Sequence, residues 1–167
     1  MTGSTEDLRA WAKKCADVTR GRMPEYVAWD LIAERGEEWE VARRPDGKPY
    51  RGGPLMTPKM CFTNAARIAG GLTSFNPEGY RYAEGWMLGP FGIWFHHGWV
   101  VTAAGLVIER TLKEPGDRYV GVTFDEFPRD PGLCQLADWP FGHAWGPNLV
   151  QQPAEAVDRL FSGRVNQ

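Results

Sequence analysis

The chain has 167 residues and a mass of 18.8 kDa, the size of one ordinary domain that can bury a core. Hydrophobic residues make up 43% and charged residues 24%, which excludes a chain that is disordered throughout. The 19 Lys and Arg nearly balance the 21 Asp and Glu. A net charge of -2 supplies no strong field for nucleic acid or for an anionic membrane, so neither is an expected partner.

The three cysteines, Cys15, Cys61 and Cys134, are odd in number, far apart and without CxxC spacing. This pattern argues against a disulfide framework and a zinc knuckle, and it is typical of a reducing compartment. The N-terminal residues show neither the basic start nor the apolar segment of a signal peptide. No apolar run approaches the roughly 18 residues that span a membrane. We therefore expect a cytoplasmic protein, folded as a single domain over residues 1–167.

The N-terminal part, residues 5–40, is predicted to be helical. Apolar residues at helical spacing predict a first helix over 5–20. A proline at its first turn and a glycine at its end predict a second helix over 24–36. Residues 39–41 fit either an extension of that helix or a short strand. The apolar stripe of the first helix consists of Leu8, Trp11, Ala12, Cys15 and Val18, which places Cys15 in the core.

Residues 43–59 are rich in Gly, Pro and charge and predict a long, solvated surface loop. A short helix follows, beginning at Cys61 and stopped by Gly70 and Gly71. At the start of a helix, unsatisfied N–H groups and the positive end of the macrodipole stabilise a thiolate and can hold an oxyanion. This position favours a reactive Cys61; the alternative is a small buried hydrophobic residue.

The middle of the chain is predicted to be β-structure. Residues 125–167 are predicted to be irregular, apart from a short amphipathic helix over 153–161. The core is therefore expected within residues 57–124. The strand-like runs, bounded by Gly, Pro or Asp, cover 80–88, 93–102, 106–112 and 119–124.

Two of these strands bring an imidazole and a carboxylate together. If the turn 103–105 places its glycine in the left-handed conformation, Thr102 faces Leu106. This register makes His97 and Glu109 diagonal neighbours on one face, within reach of a hydrogen bond. The carboxylate would then fix the tautomer of the imidazole and stabilise the imidazolium. Taken singly, each residue also fits an exposed strand position, but the order Cys, His, acid is that of a thiol nucleophile with its base.

Five motifs within residues 57–124 carry a resemblance to a known family. They are CFTNA from Cys61, YAEGW from Tyr82, HGWVV from His97, GLVIERT from Gly105 and YVGVTF from Tyr119. This set resembles a group of bacterial and phage proteins that are similar to the papain-like, NlpC/P60- and transglutaminase-like cysteine fold. The resemblance implies an α+β papain-like fold, with N-terminal helices and an antiparallel sheet packed against the Cys-bearing helix. It also implies that Cys61 is the nucleophile, His97 the base and Glu109 the orienting acid.

Four further residues are predicted to support the catalytic residues or to bind substrate. Asn64 lies one helical turn after the cysteine, where it can support the oxyanion or tie the helix to the sheet, and we favour the tie. Glu84 stands among aromatic residues and either reaches the site or braces the loop after its strand. Trp86 and Trp99 are interpreted as core residues or as cleft walls. His143, in a Pro- and Gly-rich segment, is the second candidate for the base.

The predicted function is that of a thiol hydrolase, such as a thiol protease, or an acyltransferase. It would act on an amide, peptide or isopeptide bond, with a peptide or small amide as substrate and another protein as a second kind of partner. Three scattered histidines, no carboxylate cluster and no nucleotide-binding motif predict neither a metal site nor a cofactor. The alternative is a non-catalytic binding or structural protein, for example a phage accessory protein with an aromatic cleft. A nucleic-acid binder finds no support in the balanced charge.

Overall fold

The computed structural model describes residues 5–20, 32–71, 79–89 and 92–124. It contains the helices α1 (Thr5–Thr19) and α2 (Cys61–Ala69) and the strands β1 (Glu37–Val41), β2 (Arg81–Leu88), β3 (Trp94–Val101), β4 (Leu106–Ile108) and β5 (Arg118–Thr123). A helix over 24–36 is predicted. Residues 32–35 of it are helical, and residues 24–31 lie outside the described residues. The predicted irregular segment 125–167, with its helix over 153–161, also lies outside them.

The five strands close into a small barrel in the order β1-β4-β3-β2-β5. All neighbouring strands are antiparallel except β1 and β4, which are parallel. The predicted papain-like α+β fold, with an antiparallel sheet and helices packed on it, is therefore wrong. The physical reason is β1, in the segment that the sequence left undecided. Its first half pairs with β5 and its end pairs with β4, which closes the sheet on itself.

Side chains alternate between the inside and the outside of this barrel. Along β3, Trp99 and Val101 point inward and Val100 points outward. The inner set is Trp39, Val41, Ala83, Met87, Trp99, Val101, Val107 and Tyr119. The outer set, which packs against the helices, includes Tyr82, Trp86, Val100, Ile108, Val120 and Val122 with Leu8, Ala12, Ala65, Ala66 and Ile68. The helices thus cover one flank of the barrel.

Two facing glycines make room for this interior. Gly85 of β2 pairs with Gly121 of β5. A Cβ atom on Gly121 would lie 2.1 Å from the carbonyl oxygen of Glu84 and 2.8 Å from the indole of Trp99. The absence of side chains at this pair therefore lets the large indole fill the barrel at normal packing density.

Helix α1 buries a narrower stripe than predicted. Leu8, Ala12 and Ala16 are buried, whereas the side chains of Trp11 and Val18 are 39% and 61% exposed. Cys15, predicted to be a core residue, is only partly buried. The buried side of α1 is thus formed by one leucine and two small alanines, and the larger Trp11 and Val18 are exposed. Within the described ranges, no helix is long and apolar enough to cross a membrane.

Candidate active site

Helix α2 begins at Cys61 and lies against the outer surface of β3. Gly98 of β3 permits this approach, because a Cβ atom there would lie 2.8 Å from the ring of Phe62 and 3.0 Å from its Cα. Met60 at the N-cap offers no side-chain hydrogen bond, so the N–H groups of the first turn stay available to other acceptors. Lys59 just before it has φ 63, an unusual backbone conformation for a non-glycine residue. The cysteine is thus held at a helix start beside a strand.

The turn after β3 sets the partners of His97. Gly105 has φ 74, and Thr102 donates its N–H to the carbonyl of Leu106, as predicted for this turn. The register that follows confirms the predicted diagonal contact, because His97 Nε2 lies 2.6 Å from Glu109 Oε2. The side chains of both residues are almost fully buried, with 4% and 2% of their surfaces exposed.

Strand β4 is shorter than predicted and ends at Ile108 instead of residue 112. After it the chain turns, and this turn supplies donors to Glu109. The carboxylate Oε1 accepts the N–H groups of Thr111 at 2.6 Å and of Leu112 at 3.1 Å. The hydroxyl of Tyr119, inside the barrel, lies 3.4 Å from Oε2. The shortened strand therefore frees two backbone donors that hold the carboxylate in its ionised form.

Cys61 contacts the other side of the imidazole. Its sulfur is hydrogen-bonded to the His97 side chain and to the backbone N–H groups of Gly98 and Phe62. Since Nε2 of His97 is engaged by the carboxylate, Nδ1 is the ring nitrogen left for the sulfur. Cys61 as a whole residue is neither fully buried nor fully exposed. One imidazole therefore connects the sulfur to a buried acid.

The electrostatics of this group favour an ion pair. Burial alone would raise the pKa of Cys61, but the hydrogen bonds and the charge of His97, with the two backbone donors, lower it below its ordinary value. Burial would likewise lower the pKa of His97, but its hydrogen bonds to Cys61 and Glu109 and their negative charges raise it to about 10. Burial alone would raise the pKa of Glu109, but the hydrogen bond and the charge of His97, with the N–H groups of Thr111 and Leu112, lower it below its ordinary value. The directions of these shifts favour the charged form of each group: a thiolate, an imidazolium and a carboxylate.

Asn64 ties the Cys-bearing helix to the rest of the site. Its side-chain amide donates to the carbonyl of Thr57 at 2.7 Å and to the hydroxyl of Thr111 at 3.0 Å. Both amide hydrogens are therefore used within the protein, and they connect α2 to the loop before it and to the turn after β4. This geometry fits the structural tie, and it leaves no amide donor for an oxyanion.

Glu84 and Trp86 lie on the outer face of β2, away from His97. Glu84 is fully buried, accepts a hydrogen bond from Tyr82 and lies 4.0 Å from the ring of His96. Trp86 is buried with its ring 5.3 Å from that of His96. Burial, with the charge of His97 second, lowers the pKa of His96 to about 4, so this ring stays neutral. The contacts described for Glu84 and Trp86 are thus with Tyr82 and His96 and not with His97.

Trp99 lies inside the barrel, directly beside His97. Its ring is stacked on that of His97, with 6.4 Å between the centroids and 14° between the planes. Because its side chain is buried inside the barrel, it supports the imidazole and does not line an open cleft. His143, the second candidate for the base, lies outside the described residues.

Sequence reasoning missed two side chains at this site. The sequence marks Tyr119 only as part of a strand motif, although the alternation of side chains along a strand places it inside the barrel. Arg51 stands in the predicted solvated loop, but its guanidinium donates to the carbonyls of Glu109 at 2.9 Å and Leu112 at 2.7 Å. No local pattern marks such a contact, because 58 residues separate the arginine from the acid that it reaches.

The part of the chain that the structure describes contains no cluster of three or more potential metal ligands. The site is therefore built from a thiol, an imidazole, a carboxylate and backbone donors. Comparison of the chain with protein-family models, with curated proteins and with solved structures gives no match.

Proposed function

We propose that the protein is a thiol hydrolase or acyltransferase that acts on an amide, peptide or isopeptide bond. The observation that carries this proposal is the position of the His97 ring, bound on one side to Cys61 and on the other to the buried carboxylate of Glu109. A nucleophile, a base and an orienting acid in hydrogen-bond contact are the parts that covalent acyl transfer requires.

The reaction follows from these contacts. The thiolate of Cys61 attacks the carbonyl carbon of the substrate, and the charge passes to the carbonyl oxygen. Backbone N–H groups at the start of α2 stabilise that oxyanion. The imidazolium of His97 gives its proton to the departing amine, which leaves a thioester on Cys61. The neutral imidazole then takes a proton from water or from an acceptor amine as that nucleophile attacks the thioester. The C–S bond breaks, the acid or the new amide leaves, and the thiolate and the imidazolium are restored.

The non-catalytic alternative finds less support in the site. An aromatic cleft that holds a partner needs exposed rings, but Trp86 and Trp99 are both buried. A binding protein also has no need of a thiol whose pKa is lowered by a buried imidazole. The proposed activity uses both features.

The first prediction concerns the reactivity of the thiol. Because the pKa of Cys61 is lowered, the rate of its alkylation by iodoacetamide should reach a plateau at a lower pH than that of Cys15, whose pKa is raised mainly by burial. Peptide mapping by mass spectrometry follows both thiols in the same sample. In a His97→Gln variant, the midpoint for Cys61 should rise to that of an ordinary thiol.

Acyl transfer itself is tested with p-nitrophenyl acetate as a general acyl donor. The wild-type chain should release p-nitrophenol in a burst and carry an acetyl group on Cys61, whereas Cys61→Ser should show neither. A thiol that reacts like a model thiol at every pH, together with the absence of an acetyl adduct, would overturn the proposal and favour the non-catalytic alternative.

A further inference from the structure

The acid of the site lies in a turn, and that turn is held from two sides. On the inner side, the N–H groups of Thr111 and Leu112 bind the carboxylate of Glu109. On the outer side, the guanidinium of Arg51 donates to three carbonyl groups of the same turn, those of Glu109, Leu112 and Lys113. Leu112 is thus fixed through its N–H by the acid and through its carbonyl by the arginine.

This arrangement suits an arginine in particular. The planar guanidinium presents five N–H donors in a rigid fork and can bind several carbonyls at once, whereas a lysine is a flexible point charge. The carbonyls point to the arginine while the N–H groups point to the carboxylate.

The contact also connects a distant part of the chain to the site. Arg51 belongs to the long loop 43–59, which has no side chain among the three reacting groups. The same loop is attached to the segment after β4 by two more bonds, from the N–H of Met56 to the carbonyl of Arg110 and from Nε of Arg110 to the carbonyl of Pro54. The loop therefore covers the turn that carries the acid.

We propose that Arg51 is a positioning residue of the active site: by holding three carbonyls of the turn 109–113, it keeps the carboxylate of Glu109 aimed at His97. This inference rests on the proposed function, because it gives the arginine a role in the Cys-His-acid group. Without the guanidinium the turn loosens, the imidazolium loses part of its support and the thiolate becomes less stable.

The test compares the full-length chain with Arg51→Ala and with Arg44→Ala. Arg44 is a matched control, because it belongs to the same loop and its side chain forms an exposed ion pair with Asp46, while its backbone hydrogen bonds are kept in the alanine variant. The measured quantity is the midpoint of the pH profile for alkylation of Cys61 by iodoacetamide. In Arg51→Ala the midpoint should rise by about one pH unit, so that alkylation well below the midpoint slows about tenfold. In Arg44→Ala the midpoint should stay at the wild-type value.

A role that is only structural predicts a lower melting temperature with an unchanged midpoint, and this result would overturn the inference. If Arg51→Ala does not fold, Arg51→Lys supplies the measurement, since it keeps the charge and the aliphatic stem but loses the fork. A raised midpoint in that variant supports the inference, and a wild-type midpoint overturns it. An ordinary midpoint in the wild-type chain would instead overturn the proposed function, so the two failures are distinguishable.

Discussion

At the scale of single residues, Glu109 is the most constrained group of the site. Four donors surround its carboxylate: His97, the N–H groups of Thr111 and Leu112, and the hydroxyl of Tyr119. A buried carboxylate with this many donors stays ionised, and the removal of its charge leaves a buried imidazolium without compensation. The contact between Glu109 and His97 therefore stabilises the fold and is also the contact that the proposed chemistry needs.

Glu109→Gln should lower the free energy of unfolding by about 3 kcal/mol at pH 7, since it removes one partner of a buried pair. The pKa of Glu109 is lowered in the folded state, so its stabilising effect is fully present above the ordinary value of 4.5 and is lost as the pH falls through the lowered value. Urea unfolding of both proteins between pH 7 and pH 3 should show the difference shrink. An exposed control, Glu114→Gln, should change little at any pH.

The pair of His97 and Glu109 could be predicted from the sequence because it depends on local geometry. A three-residue turn ending in Gly105 fixes the register of two adjacent strands, and the register fixes which side chains are diagonal neighbours. Arg51 reaches the backbone carbonyl of Glu109 from the loop before α2, and Tyr119 reaches its carboxylate from β5. Nothing local in the sequence encodes those approaches, since they depend on how the whole chain packs.

At the scale of elements, the site depends on how closely α2 approaches β3. Gly98 sets this distance, since any side chain there would meet the backbone and ring of Phe62. The same glycine donates its N–H to the sulfur of Cys61. Gly98 therefore holds the start of α2 and the thiol of Cys61 against β3. The sequence alone predicts only that a cysteine opens this helix.

Gly98→Ala should separate the helix start from the strand by a few tenths of an ångström, at a cost of about 1–3 kcal/mol in the free energy of unfolding. Because the contacts of Cys61 with His97 and with the N–H group of residue 98 become longer and weaker, the midpoint of its alkylation profile should rise. Gly47→Ala is the control: it has open surroundings and φ 78, so it should lose only about 1 kcal/mol and keep the midpoint. A wild-type midpoint in Gly98→Ala would contradict the need for close approach.

At the scale of the whole molecule, closure of the barrel is what the sequence did not predict. All four later strands coincide in part with predicted runs, but the fold class was wrong because β1 adds pairings to both β4 and β5. The paired residues are 66 positions apart between β1 and β4 and 80 to 84 apart between β1 and β5, and such distant pairings leave no periodic signal. A short strand such as EEWEV also resembles a helix end. Closure matters for the candidate site, because it forms the interior in which Trp99 is stacked on His97.

This dependence gives a prediction for Gly121, far along the chain from the thiol. In Gly121→Ala the new Cβ atom meets the carbonyl oxygen of Glu84 and the indole of Trp99, and the backbone of the neighbouring strand cannot yield cheaply. We expect a loss of about 3 kcal/mol in the free energy of unfolding. Because the imidazole of His97 is stacked on this indole, a displaced indole also displaces the imidazole. The alkylation midpoint of Cys61 should therefore rise as well. Leu106→Ala, at an exposed position of β4, should lose less than about 1 kcal/mol and leave the midpoint unchanged. A destabilised Gly121→Ala that keeps the wild-type midpoint would show that the reacting group is independent of the packing inside the barrel.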